Sequence, residues 1–424
     1  MNTPFRRGGL LLSLSLSLVL AACGGGGGGA DTDVGETIDT AGRLAIAEDG
    51  APSLRLYDLD SAGVAAAFTL ANPASAVYAS PGRRYALAFQ RAQDTVQAAD
   101  GGIWQEDHGD HLHDYKRAPR LLPGVISGAQ PTHYDDRAGQ ASIFMDGRGS
   151  ATPPVASSAV LLTDASLAAG TLVASVGFQS AMHGFAEPSG EHLIASWRDP
   201  AGTDSLPTHL EVYRRQGTGY SFVERLGTRC SGMHGSYSRA GTTLAGCSDG
   251  VLLVKPQGTG FVSSHVPLAT GVGTIAGHPK LARFVAFGNA GTPATTRFHD
   301  IDAAAGTGTP LAIPGWAEGR ARRAHGFDRH GRLFFVLDDA GTLHAMQASA
   351  GGWTHRGAIA QAVPAMPSAA PFPAFAANEA RDEIYLTDPV ARQIVVVNTV
   401  RLEVSRRLPL DFRPSHAAWV GIAR

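Results

Sequence analysis

Five histidines, His133, His183, His234, His278 and His325, recur at intervals of 50, 51, 44 and 47 residues, and each opens a unit of the same design. After the histidine come a polar stretch that usually contains glycine, an apolar strand, a turn and two further strands. In the unit from His183 the strands read His192–Trp197, His209–Tyr213 and Tyr220–Glu224; in the next, Thr243–Cys247, Gly250–Val254 and Phe261–His265; from His325, Leu333–Leu337, Thr342–Met346 and Trp353–His355. Short apolar runs bounded by turn residues, with few helical stripes, predict an all-β chain. Units with strands at Tyr85–Phe89, and at Ile384–Leu386 and Gln393–Val397, fit the frame without the histidine. The unit at His416 has room for one strand, Ala417–Ile422, and strands near Leu44–Ala47, Leu54–Tyr57 and Val64–Leu70 complete it. A unit built from both chain ends is how a β-propeller closes. The count is eight units of about 48 residues, a typical propeller repeat length, with seven blades as the alternative.

Equivalent positions in successive blades lie on a ring about the axis. The repeat histidines, with His416 as a sixth, are therefore expected to face a shared mouth; the plainer role is a hydrogen bond that holds each blade to its neighbour. Met182-His183-Gly184, Met233-His234-Gly235 and Ala324-His325-Gly326 are the best candidates for exposure. A second concentration lies in an insertion around 104–116, where Asp107-His108-Gly109-Asp110-His111-Leu112-His113-Asp114 packs three imidazoles and three carboxylates into eight positions. Imidazole and carboxylate together suit borderline divalent ions such as Zn²⁺, with Ni²⁺ and Cu²⁺ as alternatives. Folded over the ring, this insertion would add its ligands to His133.

The chain ends and the cysteines bear on location. Arg6 and Arg7 precede an apolar run from Leu10 to Leu20 and the sequence Leu20-Ala21-Ala22-Cys23, the plan of a secretory signal at 1–22. The run is too short to span a bilayer as a helix. Cys23 fits the lipobox of bacterial lipoproteins and is the expected lipid site, followed by a glycine-rich tether over 23–41 and the propeller over 42–424. Gly24 in place of aspartate points to the outer membrane, and the membrane is reached only through the anchor. Cys230 and Cys247 remain, and in an oxidising compartment they are expected to form a disulfide. A net charge of −2 with no basic stripe gives nucleic acid no electrostatic footing.

The stretch Asp107–Tyr115, then Pro131-Thr132-His133, Phe144-Met145-Asp146-Gly147, and the segment from Cys230 through Met233-His234-Gly235 to Gly246–Gly250 resemble the periplasmic zinc metallochaperones of the AztD type. The resemblance implies a secreted propeller that binds Zn and passes it to the substrate-binding protein of an ABC zinc importer; the chain itself is expected to be a monomer. It implicates His108, Asp110, His111 and His113, and with them His133, His183 and His234. A lipid anchor departs from a freely diffusing carrier. Two other readings stay open: a hydrolase or lactonase using Asp146, Glu187, Asp249 or Asp338 around the ring, and a metal-free envelope scaffold. No His-Glu-x-x-His or Gly-x-Ser-x-Gly motif supports the enzyme.

Overall fold

The computed structural model describes residues 36–424. The expected signal peptide, Cys23 and the glycine run lie outside the described residues. Within them the chain is an eight-bladed β-propeller, so the seven-blade alternative does not hold. Blades 1 to 7 span 76–127, 131–177, 186–225, 236–267, 274–311, 322–359 and 375–409; blade 8 joins 414–420 to 43–69. Each is a four-stranded antiparallel meander, and blades 2 and 3 also touch at their outer edges through one parallel pairing, Ser175 with Gly219.

The first strand of each blade lines the axis, where neighbouring first strands meet. These strands all begin at one face of the ring, the entry face, and end at the other, the exit face. Second strands are buried on both sides, as in fully buried Tyr85–Gln90, and so read as continuous apolar runs. Fourth strands are half exposed and alternate, as in Gly63–Thr69. The core is not central but lies between blades: Tyr85, Leu87 and Phe89 of blade 1 pack on Ala141, Ile143 and Leu162 of blade 2, and the pattern repeats round the ring.

Blade 8 closes the ring. Pro414–Val420 is its innermost strand and pairs antiparallel with Arg43–Glu48, from Arg43 opposite Val420 to Glu48 opposite Pro414. Trp419, 3% exposed, packs among Leu44, Ile46, Tyr385 and Ile394 and donates from Nε1 to the Ala41 carbonyl at 2.8 Å. Buried Arg43 donates to Asp58 at 3.0 Å and to the carbonyl of Arg117 at 2.8 Å, which ties this blade to blade 1. Residues 36–41, the end of the expected tether, are held against the domain: Ile38 N donates to Asp114 and Ala41 N to Asp60.

Trp419 thus joins both chain ends and blade 7. Trp419→Ala is expected to cost about 3–5 kcal/mol through lost burial and a cavity, read as a lower urea midpoint with unchanged far-ultraviolet circular dichroism in the absence of denaturant.

Candidate metal centre

His133 is the third residue of the first strand of blade 2, Pro131–Arg137, next to a bulge between Pro131 and His133. His183 and His234 lie in the connections that lead into Ala186–Ser189 and Ser236–Arg239. Counted back from the ends of these strands at Arg137, Ser189 and Arg239, the three stand four, six and five residues away. They share no register, yet all three reach the entry-face mouth, and their ligand atoms fall within 4.8 Å of one another.

The hydrogen bonds fix the tautomers. His183 Nδ1 meets Asp146 Oδ2 at 2.9 Å, and His234 Nδ1 meets the Gly273 carbonyl at 2.8 Å. Carboxylate and carbonyl oxygens only accept, so both Nδ1 atoms carry protons and, in neutral rings, both Nε2 atoms are bare. Those Nε2 atoms stand 3.1 Å apart, and His133 Nε2 is 3.2 Å from that of His183. Two facing lone pairs at that distance repel unless a cation lies between them. A tetrahedral zinc with bonds of about 2.0–2.1 Å holds its ligand atoms about 3.3–3.4 Å apart, close to this spacing. Burial, and then the neighbouring His183 and His234, push the His133 imidazole down to about 4, so it is a neutral ligand at pH 7.

Asp146 orients the set. Burial pushes its carboxyl up, but hydrogen bonds from His183 and from Arg91, the latter at 2.9 Å, outweigh this and hold it below the usual carboxylate range. A carboxylate behind a ligating imidazole is the usual support of a metal site. Arg91 was not singled out in the sequence, and neither was the Gly273 carbonyl, which as a backbone group leaves no residue-type signal. A recess of about 410 Å³, lined by Arg91, Arg148, Arg198 and Asp146, opens beside His183.

The histidine-rich insertion lies elsewhere. Ile103–Asp107 and Leu112–Lys116 form a two-stranded hairpin whose four-residue connection, 108–111, puts Gly109 at φ +93°, a left-handed value that glycine adopts without steric cost. The rings of His108 and His111 stack at 5.1 Å, with His113 at 5.8 and 6.5 Å from them. Asp110 meets His111 Nδ1 at 2.8 Å, and His113 faces Glu36 at 3.5 Å. Because the insertion follows the third strand of blade 1, Thr95–Asp100, it emerges at the exit face. There Arg84 stacks on Trp104 at 3.8 Å, Lys116 pairs with Asp60 at 2.7 Å, and buried Asp114 accepts from Ile38, Gln105 and Arg424. The expectation that it folds over the histidine ring and joins His133 is therefore corrected: strand parity places it on the opposite face.

The six-membered ring is corrected as well. His278 follows the first strand of blade 5 and lines an exit-face recess with Asp328 and Glu379; His325, in mid-strand, lines it too, with Nδ1 3.3 Å from Arg322. His416 sits in Pro414–Val420 opposite Ala47. Of the carboxylates considered for hydrolysis, only Asp146 touches the trio. Glu187 is buried against Arg137, Asp249 pairs with His265, and Asp338 with His344. Cys247, Asp249 and His265 also gather within 4.8 Å, but Cys247 is bonded to Cys230 and has no thiolate to offer.

The fold and site define a ring-shaped protein with a three-imidazole centre, built from three blades, at one mouth. Over 399 residues, 90% of this chain and 87% of the relative, the sequence is 26% identical to the zinc chaperone AztD of Citrobacter koseri. A crystal structure of C. koseri AztD superposes with a TM-score of 0.74 at 23% identity, covering 90% of this chain and 98% of that one. The apo structure gives 0.73 at 22% identity, covering 89% and 97%. The dihydro-heme d1 dehydrogenase NirN in complex with DHE shares the fold at a TM-score of 0.57 and 13% identity, over 91% of this chain and 76% of its own. No protein-family model matches the chain. The resemblance to AztD thus runs along most of the sequence and the fold, and that relative is named as a chaperone, not as an enzyme.

Asp146→Ala is expected to weaken divalent-metal binding by about 10–100-fold, the usual consequence of removing a partner behind a ligating histidine. Competition with a chromophoric chelator measures it, and an unchanged affinity would remove Asp146 from the site.

Proposed function

We propose that this protein is a zinc chaperone that loads Zn²⁺ on the His133–His183–His234 centre. The observation that carries the reading is the convergence of three Nε2 atoms, two of them held bare by Asp146 and Gly273, at nearly the spacing of a tetrahedral zinc site. The similarity to AztD supports zinc as the cargo. Three imidazoles leave a fourth position for an incoming ligand, and the recess beside His183 gives that ligand room to approach. An acceptor can then take the ion by stepwise replacement, without free zinc in between.

The acceptor we propose is the substrate-binding protein of an ABC zinc importer, and the setting the bacterial periplasm, with Cys23 lipidated and the monomeric propeller tethered to the membrane. Confinement near a membrane-docked acceptor raises their effective concentration. The exit-face hairpin offers a second set of ligands in His108, Asp110, His111 and His113, of which His108 and Asp110 are exposed at its tip, an arrangement suited to weaker and faster binding.

Replacing His133, His183 and His234 together by alanine is expected to abolish tight binding of about one zinc. The triple alanine variant at His108, His111 and His113 is expected to keep it and lose only a weaker second ion. Isothermal titration separates the two, and the reverse pattern would move the tight site to the hairpin. Zinc-loaded protein mixed with the apo acceptor and a chelator is expected to transfer faster than zinc dissociates spontaneously; complete interception by the chelator would leave a storage protein.

A further inference from the structure

His133 stands on a strand, and His183 is held by Asp146, itself braced by Arg91, but His234 hangs on the ten-residue connection 226–235, which contains no strand. Backbone hydrogen bonds from Cys230 N to the Thr208 carbonyl at 2.8 Å and from Met233 N to that of Pro207 at 3.1 Å hold that connection to blade 3, and a cross-link joins it to blade 4. Cys230, fully buried, is bonded to Cys247, the last residue of the second strand of blade 4. The same strand end holds His234 directly: His234 N donates to the Gly246 carbonyl at 3.0 Å, and Gly246 N to the Gly235 carbonyl at 3.0 Å. The approach is so close that a Cβ on Gly246 would stand 2.5 Å from the His234 carbonyl oxygen. Cys247 also reaches the ring's other support. Its carbonyl accepts from Val272 N at 2.8 Å, and the next residue, Gly273, supplies the oxygen that takes the proton of His234 Nδ1.

We infer that the Cys230–Cys247 bond is a positioning element of the metal centre, which fixes the place where His234 presents Nε2. The inference rests on the three-histidine reading above. Without the bond, the connection must be ordered each time a metal binds, and that ordering is subtracted from the affinity. With it, ligand and support are fixed to one strand end before the ion arrives.

The test is a cycle. Zinc and cobalt affinities are measured for the intact protein, for Cys230→Ala/Cys247→Ala, for His234→Ala, and for the triple combination, each shown by circular dichroism to be folded at the working temperature. Should the double alanine variant fail to fold, Cys230→Ala/Cys247→Val restores part of the lost volume. The expected result is a loss of at least about tenfold on removing the bond when His234 is present, with a changed cobalt visible spectrum, and a change of less than about twofold when His234 is already alanine. Unchanged affinity without the bond would overturn the inference. So would an equal loss in both backgrounds, which marks a bond that only stabilises the blade. If the intact protein binds metal just as well after all three histidines are replaced, the three-histidine reading itself fails, an outcome distinct from the other two.

Discussion

The antiparallel ladder between Arg43–Glu48 and Pro414–Val420 is the interaction on which the rest of the molecule depends. In a ring of repeats each blade is stabilised only by its neighbours, so an unclosed ring would have two bare flanks and blade angles free to drift. That matters more here than in a propeller with a local site. The three imidazoles come from blade 2 and the connections into blades 3 and 4, and no segment shorter than 133–234 contains them all. Their separations of 3.1 and 3.2 Å are consequences of how the blades pack, set by interfaces such as Phe185, Ile194 and Leu210 against Ala245 and Leu252.

The packing holds together groups that would otherwise part. Bare imidazole nitrogens gain nothing from facing each other, and a proton between them is disfavoured by burial, as the depressed His133 shows. The site is thus organised for a cation that brings its own charge. Arg91 completes the arrangement from behind. Asp146 Oδ2 is shared between Arg91 and His183 at 2.9 Å each, so the carboxylate stays behind the imidazole as a support and is not drawn forward as a ligand.

Fold and site differ in how far they could be read from sequence, for a physical reason. Apolar runs recur because second and third strands are buried on both sides, and burial on every blade writes the repeat directly into residue types. The split blade was legible for the same reason, since Leu44–Ala47 and Ala417–Val420 are core on both faces. A histidine's direction is not written this way. Shifting one residue along a strand reverses the side chain, and a bulge or an extra loop residue shifts it again. His133, His183 and His234 converge from three different offsets, whereas His325, with an equal claim by spacing, lines the opposite mouth. The disulfide followed from cysteine count, and its nearness to His234 from topology alone. The hairpin's face was recoverable in principle: an insertion after a third strand must emerge where first strands end. Counting strands, rather than matching histidines, would have found it.

That parity has a consequence for cargo. The first strand of blade 2 has seven residues, so the two faces are separated by about 23 Å along the axis. At the exit face Asp136 pairs with Arg83, Glu187 with Arg137 and Asp382 with Arg329, and Glu379 lines the recess beside them. A divalent ion entering the channel there would meet the guanidinium groups of Arg83, Arg137 and Arg329, and arginine cannot lose its charge to let the ion pass. Transit through the ring is thereby disfavoured on electrostatic grounds, and transit around it returns the ion to solvent. Under the proposed reading the hairpin and the trio are therefore separate stations on one rigid body. A partner at the entry face collects from the trio without disturbing the hairpin, and the hairpin equilibrates with its surroundings without draining the trio.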